Sequence, residues 1–217
     1  MTVIVDYRAG NLTSVKLAFA ALGEPVEVTN DPAKVRAAPR VVFPGVGAAR
    51  SAMDNLRDLG LVDAVKEAAT DGRPFLGICL GMQILFAHSE EDGGVDTLGV
   101  LPGQVRKFPS VPGCKVPEIG WNQVNATNWE SRHPGGANWE SRHPGGANWE
   151  SRHLGGAEYY FVHSYYAELG PWTFGKTEYA GIEFTSMVKQ GRMWACQFHP
   201  EKSGRVGLEL LKGWLAC

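Results

Sequence analysis

The chain has 217 residues, with 21 lysines and arginines against 23 aspartates and glutamates, for a formal net charge of −2. That length supports one sizeable domain with a real core, and so balanced a charge gives no electrostatic support for binding nucleic acid or a membrane surface. The four cysteines, Cys79, Cys114, Cys196 and Cys217, stand far apart without a C-x-x-C pair, which disfavours a zinc knuckle or a disulfide framework and points to a reducing compartment.

Residues 1–6 show no basic region followed by a long apolar run, and no window approaches a membrane-spanning length. The expected location is therefore cytoplasmic, where the Asn125-Ala126-Thr127 sequon carries no meaning.

Residues 3–5 read as an apolar strand, and Asn11 as the cap of a helix with Leu12, Val15, Phe19 and Leu22 on one face. Residues 24–29 read as a second strand, 35–38 as a short helical crossover, and 40–43 as a third strand ending at Pro44-Gly45-Val46-Gly47. Helices over 48–56 and 61–70 lead to Phe75-Leu76-Gly77-Ile78, a short apolar run suited to a central parallel strand. That strand turns sharply at Cys79 into a helix expected to run to about Phe86. Up to Ser89 the alternation predicts an α/β fold with a doubly wound, mostly parallel sheet.

After Glu90-Glu91-Asp92-Gly93-Gly94 helix signals vanish, and strands over 100–108, 121–124, 159–162, 176–180, 184–189 and 193–198 predict additional antiparallel sheet. Gln190-Gly191-Arg192 joins the last two as a hairpin turn. A final helix from about Ser203 carries Val206, Leu210 and Trp214 beside Leu208, Leu211 and Leu215.

One repeat interrupts this order. Asn128-Trp129-Glu130-Ser131-Arg132-His133-Pro134-Gly135-Gly136-Ala137 recurs identically over 138–147, and over 148–157 with only Leu154 changed. Each unit is too poor in apolar residues to bury a face as a solenoid repeat must, so 128–157 reads as a surface insertion in a single domain spanning 1–217. His133, His143 and His153 lack the short spacing that preorganises metal ligands, and no metal site is expected.

Cys79, between Gly77 and Gly81, reads either as a nucleophile exposed at a tight elbow near a helix N-terminus or as an inert core thiol. A nucleophile needs a base and donors for a developing oxyanion. The glycines of Pro44-Gly45-Val46-Gly47 can present backbone N–H groups to a ligand, although the same pattern serves as a plain strand-to-helix turn. In Gln197-Phe198-His199-Pro200-Glu201, a carboxylate two residues past a histidine can hold the far ring nitrogen and fix its tautomer. Alone this suits a surface histidine; with a cysteine at an elbow it completes a nucleophilic set.

Gly77-Ile78-Cys79-Leu80-Gly81-Met82-Gln83 together with Phe198-His199-Pro200-Glu201 resembles the class I (triad type) glutamine amidotransferases, over nearly the whole chain. Asp6-Tyr7-Arg8-Ala9-Gly10-Asn11-Leu12, Gly120-Trp121-Asn122, His163-Ser164-Tyr165-Tyr166 and the Lys202-Ser203 that follows Glu201 narrow this to a likeness with the glutaminase subunits of imidazole glycerol phosphate synthase. The resemblance implies Cys79 as nucleophile, His199 as general base and later acid, and Glu201 as its orienter. It further implies that Gly45, Val46 and Gly47 form an oxyanion strand, and that Gln83, Glu91, Ser164 and Tyr165 hold L-glutamine. Asn11, Trp121 and Lys202 would face a separate cyclase (β/α)8-barrel subunit, which receives the ammonia; no cofactor is implied. Two rivals share the elbow: a glutaminase subunit for another acceptor, as in pyridoxal phosphate or anthranilate synthesis, and a stand-alone γ-glutamyl cysteine hydrolase. The chain departs from the family at Glu118, where a histidine is usual, which puts in doubt any partner or gating contact made there, and in the inserted repeat.

Overall fold

The computed structural model describes residues 1–126 and 155–217. The expectation about the repeat's three histidines falls outside the described residues, and so does its looping except at residues 155–157, which are extended and paired in a strand and not part of a loop. Strands β2 (Val26–Thr29), β1 (Thr2–Val5), β3 (Arg40–Gly45), β4 (Phe75–Cys79) and β13 (Met193–Cys196) lie side by side in that order, each parallel to its neighbours.

Period-two alternation assigns each face of this sheet. Val3, Val5, Val41, Phe43, Phe75 and Ala195 pack with Val35 of α2 (Pro32–Ala37), Met53 and Leu56 of α3 (Ala49–Asp58), and Val65 and Ala68 of α4 (Val62–Thr70). Ile4, Val42, Leu76, Ile78, Trp194 and Cys196 pack with Val15 and Phe19 of α1 (Leu12–Ala21) and with Leu210, Leu211 and Trp214 of the final helix, Gly204–Leu215. Asn11 caps α1 by accepting the Ser14 N–H at 3.3 Å, and Asp31 caps α2 by accepting the Ala33 N–H at 2.8 Å, with Pro32 at the first helical position. Trp214 sits edge-on to Phe19 at 5.9 Å and donates its indole N–H to the Phe75 carbonyl at 3.2 Å, pinning the final helix to the cysteine strand.

The antiparallel part is hydrogen-bonded onto this sheet. β13 pairs antiparallel with β12 (Ile182–Gln190) across a turn at Gly191, whose φ of +58° suits glycine. β12 passes the ladder to β10 (Tyr165–Ala167), which pairs with β7 (Gln104–Lys107) and so reaches β5 (His88–Ser89) and β6 (Val95–Asp96). β12 also pairs with β11 (Thr173–Tyr179), followed by β8 (Glu118–Ala126) and β9 (Gly155–His163). Among the described residues no helix is long and apolar enough to cross a membrane.

Two expectations need correction. The helix after Cys79 is a single turn, α5 (Leu80–Gln83), and does not reach Phe86. The break shows at the amides of Leu85 and Phe86, which donate to Met82 and Gln83, three residues back instead of four, before the carbonyls of Ile84, Leu85 and Phe86 accept from Leu98, Leu101 and Gly99 at 2.8–2.9 Å. The same loop consumes the start of the strand expected over 100–108, leaving only Gln104–Lys107 extended. With its last helix introduced, the fold counts six α-helices among the described residues, the final one being α6.

Candidate active site

Cys79 closes β4 with φ +55° and ψ −114°, a conformation that costs a non-glycine residue roughly 1–3 kcal/mol. Three glycines make it sterically possible. A Cβ on Gly81 would overlap the Phe43 carbonyl, one on Gly77 would sit 2.9 Å from the Gly81 carbonyl oxygen, and one on Gly45 would sit 2.5 Å from the Tyr7 hydroxyl. β3, β4 and the turn therefore approach as closely as backbones can, with Gly45 directly opposite Cys79 in the ladder. Val46 is exposed and Gly47 has φ +95°, so Pro44 to Gly47 leaves the sheet as an open loop beside the thiol.

Cys79 is 7% exposed, and Cys196, on the adjacent strand, is fully buried. Burial drives the Cys196 thiol far above its usual range, reinforced by the charges of Glu201 and Cys79, so Cys196 is the inert core cysteine and Cys79 the accessible one. Because α5 is one turn long, a helix dipole contributes little at Cys79, and neighbouring side chains carry the electrostatics.

His199 arrives from the other half of the chain. Its N–H donates to the Tyr160 carbonyl at 2.9 Å, and its own carbonyl accepts from the Ser203 hydroxyl at 2.6 Å. Glu201, in the turn Pro200–Lys202, meets His199 Nδ1 at 2.9 Å, with both side chains buried. Nδ1 being engaged, Nε2 is the nitrogen left for Cys79, with which the ring also hydrogen-bonds. Burial alone would lower the imidazole pKa, but the hydrogen bonds to Cys79 and Glu201 and the charges of both override it and raise the value from 6.5 to about 10. Cys79, His199 and Glu201 are thus brought together in the order thiol, imidazole, carboxylate.

The residues expected to hold a substrate surround this set. Gln83 is buried and spends its amide N–H groups inward, donating at 2.8 Å to the Tyr165 carbonyl and at 2.8 Å to Gln197 Oε1. Gln197 in turn points its amide nitrogen at Cys79 Sγ, 3.7 Å away. Glu91 accepts the Ala49 N–H at the start of α3 at 2.6 Å, and partial burial raises its pKa. Its charge, with that of Asp92, acts on Tyr165, whose phenol is pushed up first by burial and then by those carboxylates. Ser164 is half-buried next to Tyr165 and accepts from the Phe108 N–H at 3.0 Å.

Of the residues expected at a partner face, Trp121 is 54% exposed on β8 and lies edge-on to Tyr160 at 6.1 Å. Tyr160 is bonded through its backbone to His199 and to Ser203, so Trp121 is one residue removed from the histidine turn. Lys202 is exposed in that turn, and Asn11 is half-buried at the cap of α1.

Glu118 takes a different place from the one its position suggested. Its carboxylate is buried, accepts from Asn122 at 2.8 Å and lies 3.0 Å from His163 Nε2, so it faces inward and is closed to a partner. His163 Nδ1 bonds the Tyr165 carbonyl at 2.8 Å; a carbonyl only accepts, so Nδ1 carries the hydrogen.

Sequence reasoning gave no role to Gln197, His163 or Tyr7. Gln197 shares the strand-end face of His199 two residues away, the one signal that could have marked it. Tyr7 follows β1, fully buried against Gly45 with no hydrogen-bond partner for its hydroxyl among the described residues, and burial together with the Cys79 charge drives its pKa strongly upward. Among the described residues no cluster of His, Cys, Asp and Glu is arranged to hold a metal ion.

Residues 3–215 match the family model described as "Glutamine amidotransferase class-I". The chain is 48% identical over 216 residues to the imidazole glycerol phosphate synthase subunit HisH of Moorella thermoacetica, covering 97% of this chain and 92% of that one. It is 44% identical to the HisH subunit of Herpetosiphon aurantiacus, over 99% and 93% of the two chains. Among solved structures it is similar to PurLQS from Thermotoga maritima, with a TM-score of 0.69 at 17% identity over 99% and 96% of the chains, a likeness of fold.

Two outcomes are expected. Because the folded-state pKa of His199 lies above its unfolded value, its stabilisation is complete below pH 6.5 and disappears as pH rises towards 10. The thermal-stability gap between wild type and His199→Asn therefore narrows across that window; a gap that widens with pH would contradict the assignment. Glu118→Leu removes the acceptor of Asn122 and leaves the buried His163 Nε2 facing an apolar side chain, and is expected to cost about 1–3 kcal/mol in denaturant unfolding. Glu118→Gln, which can still accept from Asn122 and can donate to His163, costs less.

Proposed function

The chain belongs to the class I glutamine amidotransferase family, and from that premise we propose that it is the glutaminase subunit of an imidazole glycerol phosphate synthase in histidine biosynthesis. The observation that carries the reading is the meeting of Cys79 with the buried His199–Glu201 pair beside the Gly45–Gly47 loop.

In this reading the Cys79 sulfur attacks the side-chain amide carbon of L-glutamine. Backbone N–H groups of the Gly45-Val46-Gly47 loop receive the charge that gathers on oxygen. His199, protonated at neutral pH, gives its proton to the departing nitrogen; the C–N bond breaks, ammonia leaves, and a γ-glutamyl thioester remains on Cys79. Water then attacks the thioester, His199 takes its proton, glutamate is released and the starting state returns. Glu201 keeps Nδ1 as donor throughout, so Nε2 is the nitrogen that exchanges protons. Gln83, Glu91, Ser164 and Tyr165 hold the substrate.

The ammonia passes to a cyclase (β/α)8-barrel subunit, which makes imidazole glycerol phosphate and aminoimidazole carboxamide ribotide. Asn11, Trp121 and Lys202 form part of the surface it meets. The exposure of Trp121 and its nearness to the His199 turn support that placement and offer a way for docking to bear on the histidine. The four widely spaced cysteines suit a reducing cytoplasm, and residues 1–217 act as one amidotransferase domain.

With the cyclase subunit present, Cys79→Ala is expected to abolish glutamine-dependent synthesis and to leave synthesis from added ammonia intact, read as product formation with each nitrogen source. Loss of both would contradict this division of labour.

A further inference from the structure

The side chain of Gln197 is fully buried, has no place in the triad, and touches the sulfur that does the chemistry. Its orientation is fixed by its neighbours. Gln83 donates to Gln197 Oε1 at 2.8 Å, which leaves the Gln197 amide nitrogen, the donor end, facing Cys79 Sγ. Gln83 cannot turn to break this arrangement without losing its second bond, to the Tyr165 carbonyl, and that carbonyl is held from the other side by His163 Nδ1. The polarity of the chain thus runs one way, from an anchored carbonyl through two amides to an N–H aimed at sulfur. An N–H donor favours the thiolate over the thiol.

Resting on the glutaminase reading above, we propose that Gln197 is a second donor to the Cys79 thiolate, which stabilises it independently of His199 and links its position to the amide of Gln83. Losing that donor destabilises the anion, whereas a space-filling role would leave its titration untouched.

The test is the pH dependence of Cys79 alkylation by iodoacetamide in the full-length chain, read by mass spectrometry on the Cys79 peptide, with Cys114 and Cys217 changed to serine. Gln197→Met keeps the volume and removes both polar contacts; Gln197→Glu keeps the acceptor for Gln83 and replaces the donor with a negative charge. Tyr7, Cys196 and the His199–Glu201 pair, the titratable groups that face Cys79, are retained in each. The alkylation midpoint is expected to move up by about one pH unit in Gln197→Met, the size of one hydrogen bond to a charged group, and further in Gln197→Glu. Should the Met variant fail to fold, Gln197→Leu, which also lacks a donor and adds no charge, carries the test. An unchanged midpoint in a folded variant overturns the role of Gln197 and leaves the nucleophile reading standing. A wild-type Cys79 that resists alkylation at every pH overturns that reading, and this inference with it.

Discussion

The close approach of three backbones at Cys79 is the constraint on which the site depends. The turn carries a non-glycine residue at positive φ because Gly45, Gly77 and Gly81 vacate the space that side chains would fill. Any Cβ there would push β3 or the turn away, and the thiol would lose its register with Gly45 and its distance to Gln197. The sheet supplies the force that holds the turn in place. Phe43, Phe75 and Ala195 pack against helices on one face, Leu76, Ile78 and Trp194 on the other, and none of these strands can shift without opening core.

On that scaffold, charge is arranged around sulfur from several sides. Burial works against a protonated imidazole at His199, but the Glu201 carboxylate behind it and the Cys79 sulfur before it outweigh that cost. Gln197 approaches the same sulfur with an N–H, while the Tyr7 hydroxyl lies close by. Cys196 shows the contrast: one strand over, without a histidine or an amide donor, burial simply suppresses the thiolate.

Much of this was legible in the residues. The alternation at Val3, Ile4 and Val5 encodes a two-faced strand, the glycines flanking Cys79 announce an elbow, and the spacing of His199 and Glu201 allows the ring to be held. What escaped was set by contacts between segments distant in the chain. The chain after the one-turn helix is bonded through the carbonyls of Ile84, Leu85 and Phe86 to the 98–101 loop, a contact that no local pattern records. Glu118 showed in the sequence only as a departure from the usual histidine, and its inward place beside His163, far along the chain, was not legible there. Gln197 stood in plain view beside His199, but its role depends on a partner, Gln83, on another strand's turn.

The central claim is that Cys79 becomes covalently attached to the substrate. The most direct measurement is to quench the chain with its cyclase partner during glutamine turnover and to identify the modified peptide by mass spectrometry. The account expects a γ-glutamyl group on Cys79 in the wild-type complex and none on that peptide in Cys79→Ala. Turnover of glutamine with Cys79 unmodified, or with the adduct on Cys114, Cys196 or Cys217, would contradict it.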